Sequence, residues 1–90
     1  MRVDRLLHRL RLTKSRTQAQ ALILKGHIRC DGRRLVKPSD EVRQGAILTL
    51  PLHGQLLVLR IDKLPVRRGP AAEASAHYVR LDVDGSEMAQ

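Results

Sequence analysis

Between Gly26 and Gly32 the chain has only "HIRCD", and this spacing restricts the fold more than any other feature of the sequence. The residues before Gly26 have helical periodicity, and Gly26 stands where a left-handed C′ residue closes a helix. Asp31-Gly32 is the strongest two-residue hairpin signal. His27 to Cys30 can therefore supply a short strand but not a third helix. A helix-turn-helix reader of DNA would need its recognition helix here.

The segments on either side agree with a small mixed fold. Val3, Leu6, Leu7 and Leu10 follow the i, i+3, i+4, i+7 spacing of one helix face, with Arg2, Arg5 and Arg9 as a neighbouring basic stripe. Thr13-Lys14-Ser15 interrupts the pattern, and Ser15 suits the N-cap of a second helix over about 16–25. Ala19, Leu22 and Ile23 give that helix its inward face.

After the hairpin, whose second strand covers about 33–36, Lys37-Pro38-Ser39 turns the chain, since proline cannot continue a ladder. A short turn over 40–44 ends at Gly45. Strands are expected over 46–51 and 55–62, joined around His53-Gly54, with Ile47, Leu48, Leu50, Leu57, Leu59 and Ile61 inward. From Lys63 the composition shifts to Pro, Arg, Gly and Ala, and Pro70 is placed to open a short helix over about 71–78. The expected architecture is α+β: two N-terminal helices packed on a small, mostly antiparallel sheet of four to five strands, then a short C-terminal helix. Residues 1–62 would form the domain and 63–90 an extension, loosely ordered over 85–90.

The core must be aliphatic, because the chain has 15 Leu, 7 Val and 4 Ile but no Trp, no Phe and one Tyr. The same shortage limits function. Domains that read single-stranded nucleic acid stack bases on aromatic rings, and the single ring of that type, Tyr78, lies in the tail.

Charge points the other way. The net charge is +8, and residues 1–39 carry eleven Lys and Arg against two acids, while residues 40–90 carry six against seven. A basic half joined to a near-neutral half is the footprint of a polyanion-binding face. Lys14, Ser15, Arg16 and Gln20 surround the start of helix 2, where free N–H groups favour phosphate. Lys25, Arg29, Arg33, Arg34, Lys37 and Ser39 follow from the helix end through the hairpin. With Arg2, Arg5 and Arg9 they are the candidate RNA contacts, and the helix start and hairpin are expected to form two walls of one basic groove. Such a surface would grip the phosphates and 2′-hydroxyls of folded RNA by shape.

Enzyme chemistry finds little support. His8, His27, His53 and His77 lack metal-ligand spacing, Asp40 and Glu41 are adjacent and point apart, and no phosphate-cradling glycine loop is present. No catalytic residue, metal or cofactor is expected. Cys30 reads as a small, half-buried strand residue, and the absence of a long apolar run or signal-peptide core leads to the expectation of a cytoplasmic protein.

Taken together, Ser15-Arg16, Ala19, Leu22-Ile23, Lys25-Gly26-His27-Ile28, Asp31-Gly32 and Lys37-Pro38-Ser39 resemble the S4 RNA-binding domain over roughly residues 2–62, with Asp31 in place of the commoner Asn. The stretch from Arg67 through Tyr78 resembles the segment after that domain in the small ribosome-associated heat-shock proteins and the related RqcP proteins. Helix 1 has Leu7 and Arg9 near positions where the heat-shock members favour Trp, and their long Lys-rich C-terminal helix has no counterpart.

The resemblance implies the S4 (αL) fold, with ribosomal RNA of the large subunit and tRNA as partners. It further implies a role on stalled subunits carrying peptidyl-tRNA, in ribosome-associated quality control. A helix-turn-helix DNA regulator and a ribosome-assembly adaptor are the alternatives. Of the charge reversals, Arg16→Glu is expected to weaken RNA binding far more than Arg80→Glu, with thermal stability nearly unchanged.

Overall fold

The computed structural model describes residues 1–82; the loose end expected over 85–90 lies outside them. Helix α1 (Val3–Arg9) and helix α2 (Arg16–Leu24) are followed by strands β1 (Arg29–Cys30), β2 (Arg33–Arg34), β3 (Ile47–Leu52) and β4 (Gln55–Ile61), helix α3 (Ala71–Ser75) and strand β5 (Tyr78–Leu81). The five strands form one antiparallel sheet in the order β2-β1-β3-β4-β5.

The stripe Val3, Leu6, Leu7 and Leu10 is fully buried, as the periodicity requires, and meets Ala19 and Ile23 of α2 in a core completed by Ile28, Leu48, Leu50, Leu59 and Ile61. Helix α2 starts where expected. The Ser15 hydroxyl accepts from the Gln18 N–H at 3.0 Å, and the Gln18 side-chain Oε1 accepts from the Lys14 N–H at 2.7 Å. Two orphan donors at the helix entrance are thereby satisfied. Lys25 caps the other end, and Gly26 takes φ 77°.

Helix α1 has only seven residues and no side-chain cap at its start. Its first N–H groups are satisfied by the chain after β2: Val3 donates to the Asp40 carbonyl at 2.8 Å and Asp4 to the Pro38 carbonyl at 3.2 Å. The 37–40 turn is itself held by Asp40, whose Oδ2 accepts from Val36 and Lys37 at 2.9 and 3.0 Å. Those N–H donors, that of Lys37 foremost, hold the Asp40 carboxyl below its ordinary pKa. Ser39 is exposed and has no side-chain hydrogen bond among the described residues.

Both hairpin turns use two residues in the left-handed region: Asp31 and Gly32 at φ 51° and 82°, His53 and Gly54 at 52° and 73°. Asp31 does more than tolerate its turn. Its Oδ1 accepts from the Ile47 N–H at 2.9 Å while its own N–H donates to the Ile47 carbonyl, joining the β1–β2 turn to the start of β3. This gives Asp a use here that Asn would serve less strongly, because the acceptor is charged.

Four expectations need correction. The hairpin's second strand ends at Arg34, because the Asp40 carboxylate takes the Val36 N–H. Ile47 is 37% exposed: alternation along β3 buries Leu48, Leu50 and Leu52 and turns Ile47 outward. Strand β3 runs through Pro51 to Leu52, since Pro51 lies beyond the reach of the two-residue β1 and its missing N–H costs no ladder bond on that side. The helix after Pro70 stops at Ser75, and Tyr78–Leu81 is a strand paired with Val58–Ile61.

Gly26 is constrained by its left-handed φ of 77°, while a Cβ there would meet the Arg34 side chain at 3.6 Å, an ordinary contact, so the cost of substitution lies in the backbone. Gly26→Ala should lower stability by about 1–2 kcal/mol in chemical denaturation; an unchanged midpoint would show that the helix end relaxes freely.

Candidate nucleic-acid interface

The candidate contacts fall into two groups at opposite ends of α2, which at nine residues is about 13 Å long. At its N-terminal end the organising atom set is a carboxylate that sequence reasoning did not single out. Asp4, in the first turn of α1, is fully buried. Its oxygens accept from Arg2 at 3.0 and 3.1 Å, from Arg16 Nη2 at 3.2 Å, from Gln20 Nε2 at 3.1 Å and from the Arg5 N–H at 2.7 Å.

Burial by itself would push the Asp4 carboxyl up. The hydrogen bonds from Arg2, Gln20, Arg16 and the Arg5 backbone outweigh it and hold the pKa at about 2. Arg2, Arg16 and Gln20, all candidate RNA contacts, are thus also the clamp that fixes α1 against α2. The Arg2 and Arg16 side chains keep about two fifths of their surface exposed, so they can face a phosphate while holding Asp4. The available signal was that Asp4 is the single acid before Asp31, set in an otherwise basic segment.

At the C-terminal end of α2 lies the hairpin. Arg29 stands directly opposite Arg34, and Cys30 opposite Arg33. Like charges directly across a strand pair repel. Arg34 also passes over Gly26, beside exposed Lys25. Among the described residues, the side chains of Lys14, Lys25, Arg29, Arg33, Arg34 and Lys37 are exposed and make no ion pair or hydrogen bond. A depression of roughly 480 Å³ beside β2 is lined by Arg33, Arg34 and Arg43 together with Asp40 and Glu41.

The candidate contacts thus form two basic groups along one helix, the first built on a buried acid and the second on arginines that make no ion pair among the described residues. Arg5 is half-buried and its guanidinium has no partner among the described residues, whereas Arg9 donates from Nη1 to the Pro65 carbonyl at 3.1 Å, toward the C-terminal segment. Among the described residues no cluster of three His, Cys, Asp or Glu is placed to hold a metal ion. Burial, and then the neighbouring Asp31 charge, raises the pKa of half-buried Cys30.

Two short helices clamped through a buried acid, followed by a basic hairpin and an antiparallel sheet, define the class, and the family match agrees: residues 1–48 match the S4 domain, and the chain belongs to that family. Among curated relatives, the small ribosomal subunit protein uS4 of Oenococcus oeni is 43% identical over 86 residues, covering 96% of this chain and 40% of that protein. The uS4 protein of Phytoplasma mali is 38% identical over 90 residues, covering 89% of this chain and 43% of that protein. The chain thus spans about two fifths of the length of these relatives. Among solved structures, the trimeric structure of Vibrio cholerae heat shock protein 15 superimposes with a TM-score of 0.85 at 28% identity, covering 94% of this chain and 84% of that one.

The Asp4 clamp revises one expectation: Arg16→Glu would set a second carboxylate against a buried one, so stability does not stay unchanged. Because the folded pKa of Asp4 lies below its ordinary 3.8, its ionised form stabilises the fold fully above about pH 4, and this contribution is lost as pH falls toward 2. Asp4→Asn should cost on the order of 2 kcal/mol at neutral pH and flatten the loss of stability between pH 4 and 2, as read by urea unfolding. A variant equal to the parent at both pH values would show the clamp to be idle.

Proposed function

We propose that this protein is a non-catalytic RNA-binding protein that grips structured ribosomal RNA and tRNA on the large ribosomal subunit. The site of action in this reading is the stalled subunit carrying peptidyl-tRNA, in ribosome-associated quality control in the cytoplasm. The observation that carries the RNA reading is the row of cations on the hairpin of an S4 domain: Arg29 and Arg34 are held opposite each other, and among the described residues neither forms an ion pair. That arrangement costs stability in the free protein and is offset when phosphates arrive.

The chain has no Trp or Phe, and its one Tyr, Tyr78, lies in β5 at the sheet edge opposite the hairpin, which favours recognition of folded RNA through its backbone over base stacking. The large-subunit assignment is supported by the resemblance of residues 67–78 to the segment following the S4 domain in the small ribosome-associated heat-shock proteins. The likeness to heat shock protein 15 across nearly the whole chain agrees with it in fold. A second reading, contact with small-subunit RNA as an assembly factor, is favoured by the identity to uS4. Crosslinking of the protein to RNA in cells, followed by sequencing of the adducts in fractions enriched for stalled ribosomes, separates the two. Adducts in large-subunit RNA and tRNA support the first, and adducts confined to small-subunit RNA overturn it.

If about five phosphates are neutralised, the slope of log affinity against log salt should lie near −3.5 to −4.5, a loss of a few hundredfold between 50 and 200 mM. A flat response would sink RNA binding through these patches. Arg29→Glu replaces a repulsive cross-strand pair with an attractive one, so it should raise stability by roughly 0.2–1 kcal/mol while weakening RNA binding about tenfold or more. Equal affinity in Arg29→Glu and the parent would remove the hairpin from the interface.

A further inference from the structure

Helix α1 ends in a way its sequence does not favour. Arg11 adopts φ 58°, with its N–H donating to the His8 carbonyl at 3.1 Å and the Leu12 N–H donating to the Leu7 carbonyl at 3.0 Å. This pair of bonds closes a Schellman motif, whose left-handed position is ordinarily glycine. An arginine held there is strained, and strain is retained where the side chain has a use.

The side chain reaches the segment that follows β4. Arg11 Nε donates to the Gly69 carbonyl, Arg9 Nη1 to that of Pro65 and, in the reverse direction, Arg68 Nε to that of His8 at 3.0 Å. Three guanidinium-to-carbonyl bonds thus strap residues 65–69 across the end of α1. Each uses one of a guanidinium's five N–H donors. Arg11 is exposed and Arg68 half-buried, and neither has a carboxylate partner among the described residues; Glu73, the nearby acid, is bonded to Arg67 at 2.9 Å.

The cluster is continuous with the first basic patch. His8, one turn beyond Asp4 on α1, is pushed below its ordinary pKa by burial first and then by Arg68, Arg16, Arg11 and Arg9 around it. Arg16, bonded to Asp4, is thus also among the charges that lower the His8 pKa. Capping α1 would need only hydrogen-bond donors near its last carbonyls, where cations are already favoured. It would not need an arginine in a glycine conformation, nor further guanidiniums crowded toward the same helix end.

We propose that the 65–69 strap and the end of α1 form a further phosphate-binding surface, in which Arg11 and Arg68 contact the phosphodiester backbone of the folded RNA held by the two patches on α2. The S4 domain match ends at residue 48, so half of this surface lies outside the family's own segment. The proposal rests on the RNA reading, and its test keeps the two apart.

Binding of the full chain to labelled, folded tRNA is measured across a salt series for the double variants Arg11→Gly/Arg68→Gln, Arg29→Gln/Arg34→Gln and Lys63→Gln/Arg80→Gln, each beside a thermal melt. The first should reduce the salt slope by about 1–2 and weaken affinity about tenfold relative to Lys63→Gln/Arg80→Gln. Arg11→Gly alone should melt no lower than the parent, because glycine relieves the left-handed strain. Arg11→Lys/Arg68→Lys, which keeps the charge, should retain the slope. A slope in Arg11→Gly/Arg68→Gln no lower than in Lys63→Gln/Arg80→Gln overturns the proposal. If Arg29→Gln/Arg34→Gln still reduces it, the RNA reading stands without the strap.

Discussion

A single buried carboxylate organises the N-terminal half of this protein. Asp4 would be costly to bury alone, and its charge is tolerated because five N–H bonds converge on it, from Arg2 just before α1, the Arg5 backbone, and Arg16 and Gln20 of α2. Those donors bring Arg2, Arg16 and Gln20 into fixed positions. The 37–40 turn then closes on the first N–H groups of α1, so neither helix nor loop is placed without the other. Short helices of seven and nine residues are unstable alone, and it is this convergence, with the shared aliphatic core, that makes them permanent.

The same geometry separates two kinds of basic residue. Some cations hold the fold: Arg2 and Arg16 on Asp4, Arg9 on the Pro65 carbonyl. Others, Lys25, Arg29, Arg33 and Arg34, are held in place by the backbone of α2 and the hairpin and have no internal partner among the described residues. Even the acid within that segment, Asp31, is withdrawn from them, since its carboxylate caps the start of β3. An exposed surface rich in cations but with its acids internally occupied attracts polyanions.

Much of this was legible one element at a time. The apolar stripe of α1, the Ser15 cap, the Gly26 stop and the two-residue turns at Asp31-Gly32 and His53-Gly54 are local signals, and each stands where the spacing places it. Strand β5 was not legible, because a four-residue edge strand is defined by pairing with β4 and not by its own propensity. The left-handed Arg11 gave no sign either, since nothing near it in sequence shows the carbonyl of Gly69 that its side chain reaches.

By itself, the sequence determined the fold class, the order and nearly the bounds of the early elements, and the concentration of positive charge in residues 1–39, because these depend on periodicity, capping and composition within a few residues. Only the tertiary structure decided which of those charges are spoken for. Whether a given arginine faces solvent or a buried acid depends on contacts across 12 or 16 residues in the Asp4 clamp and 56 to 60 in the strap. No local rule encodes those separations; they follow from burying one aliphatic core, after which the partners available to each guanidinium are set by packing.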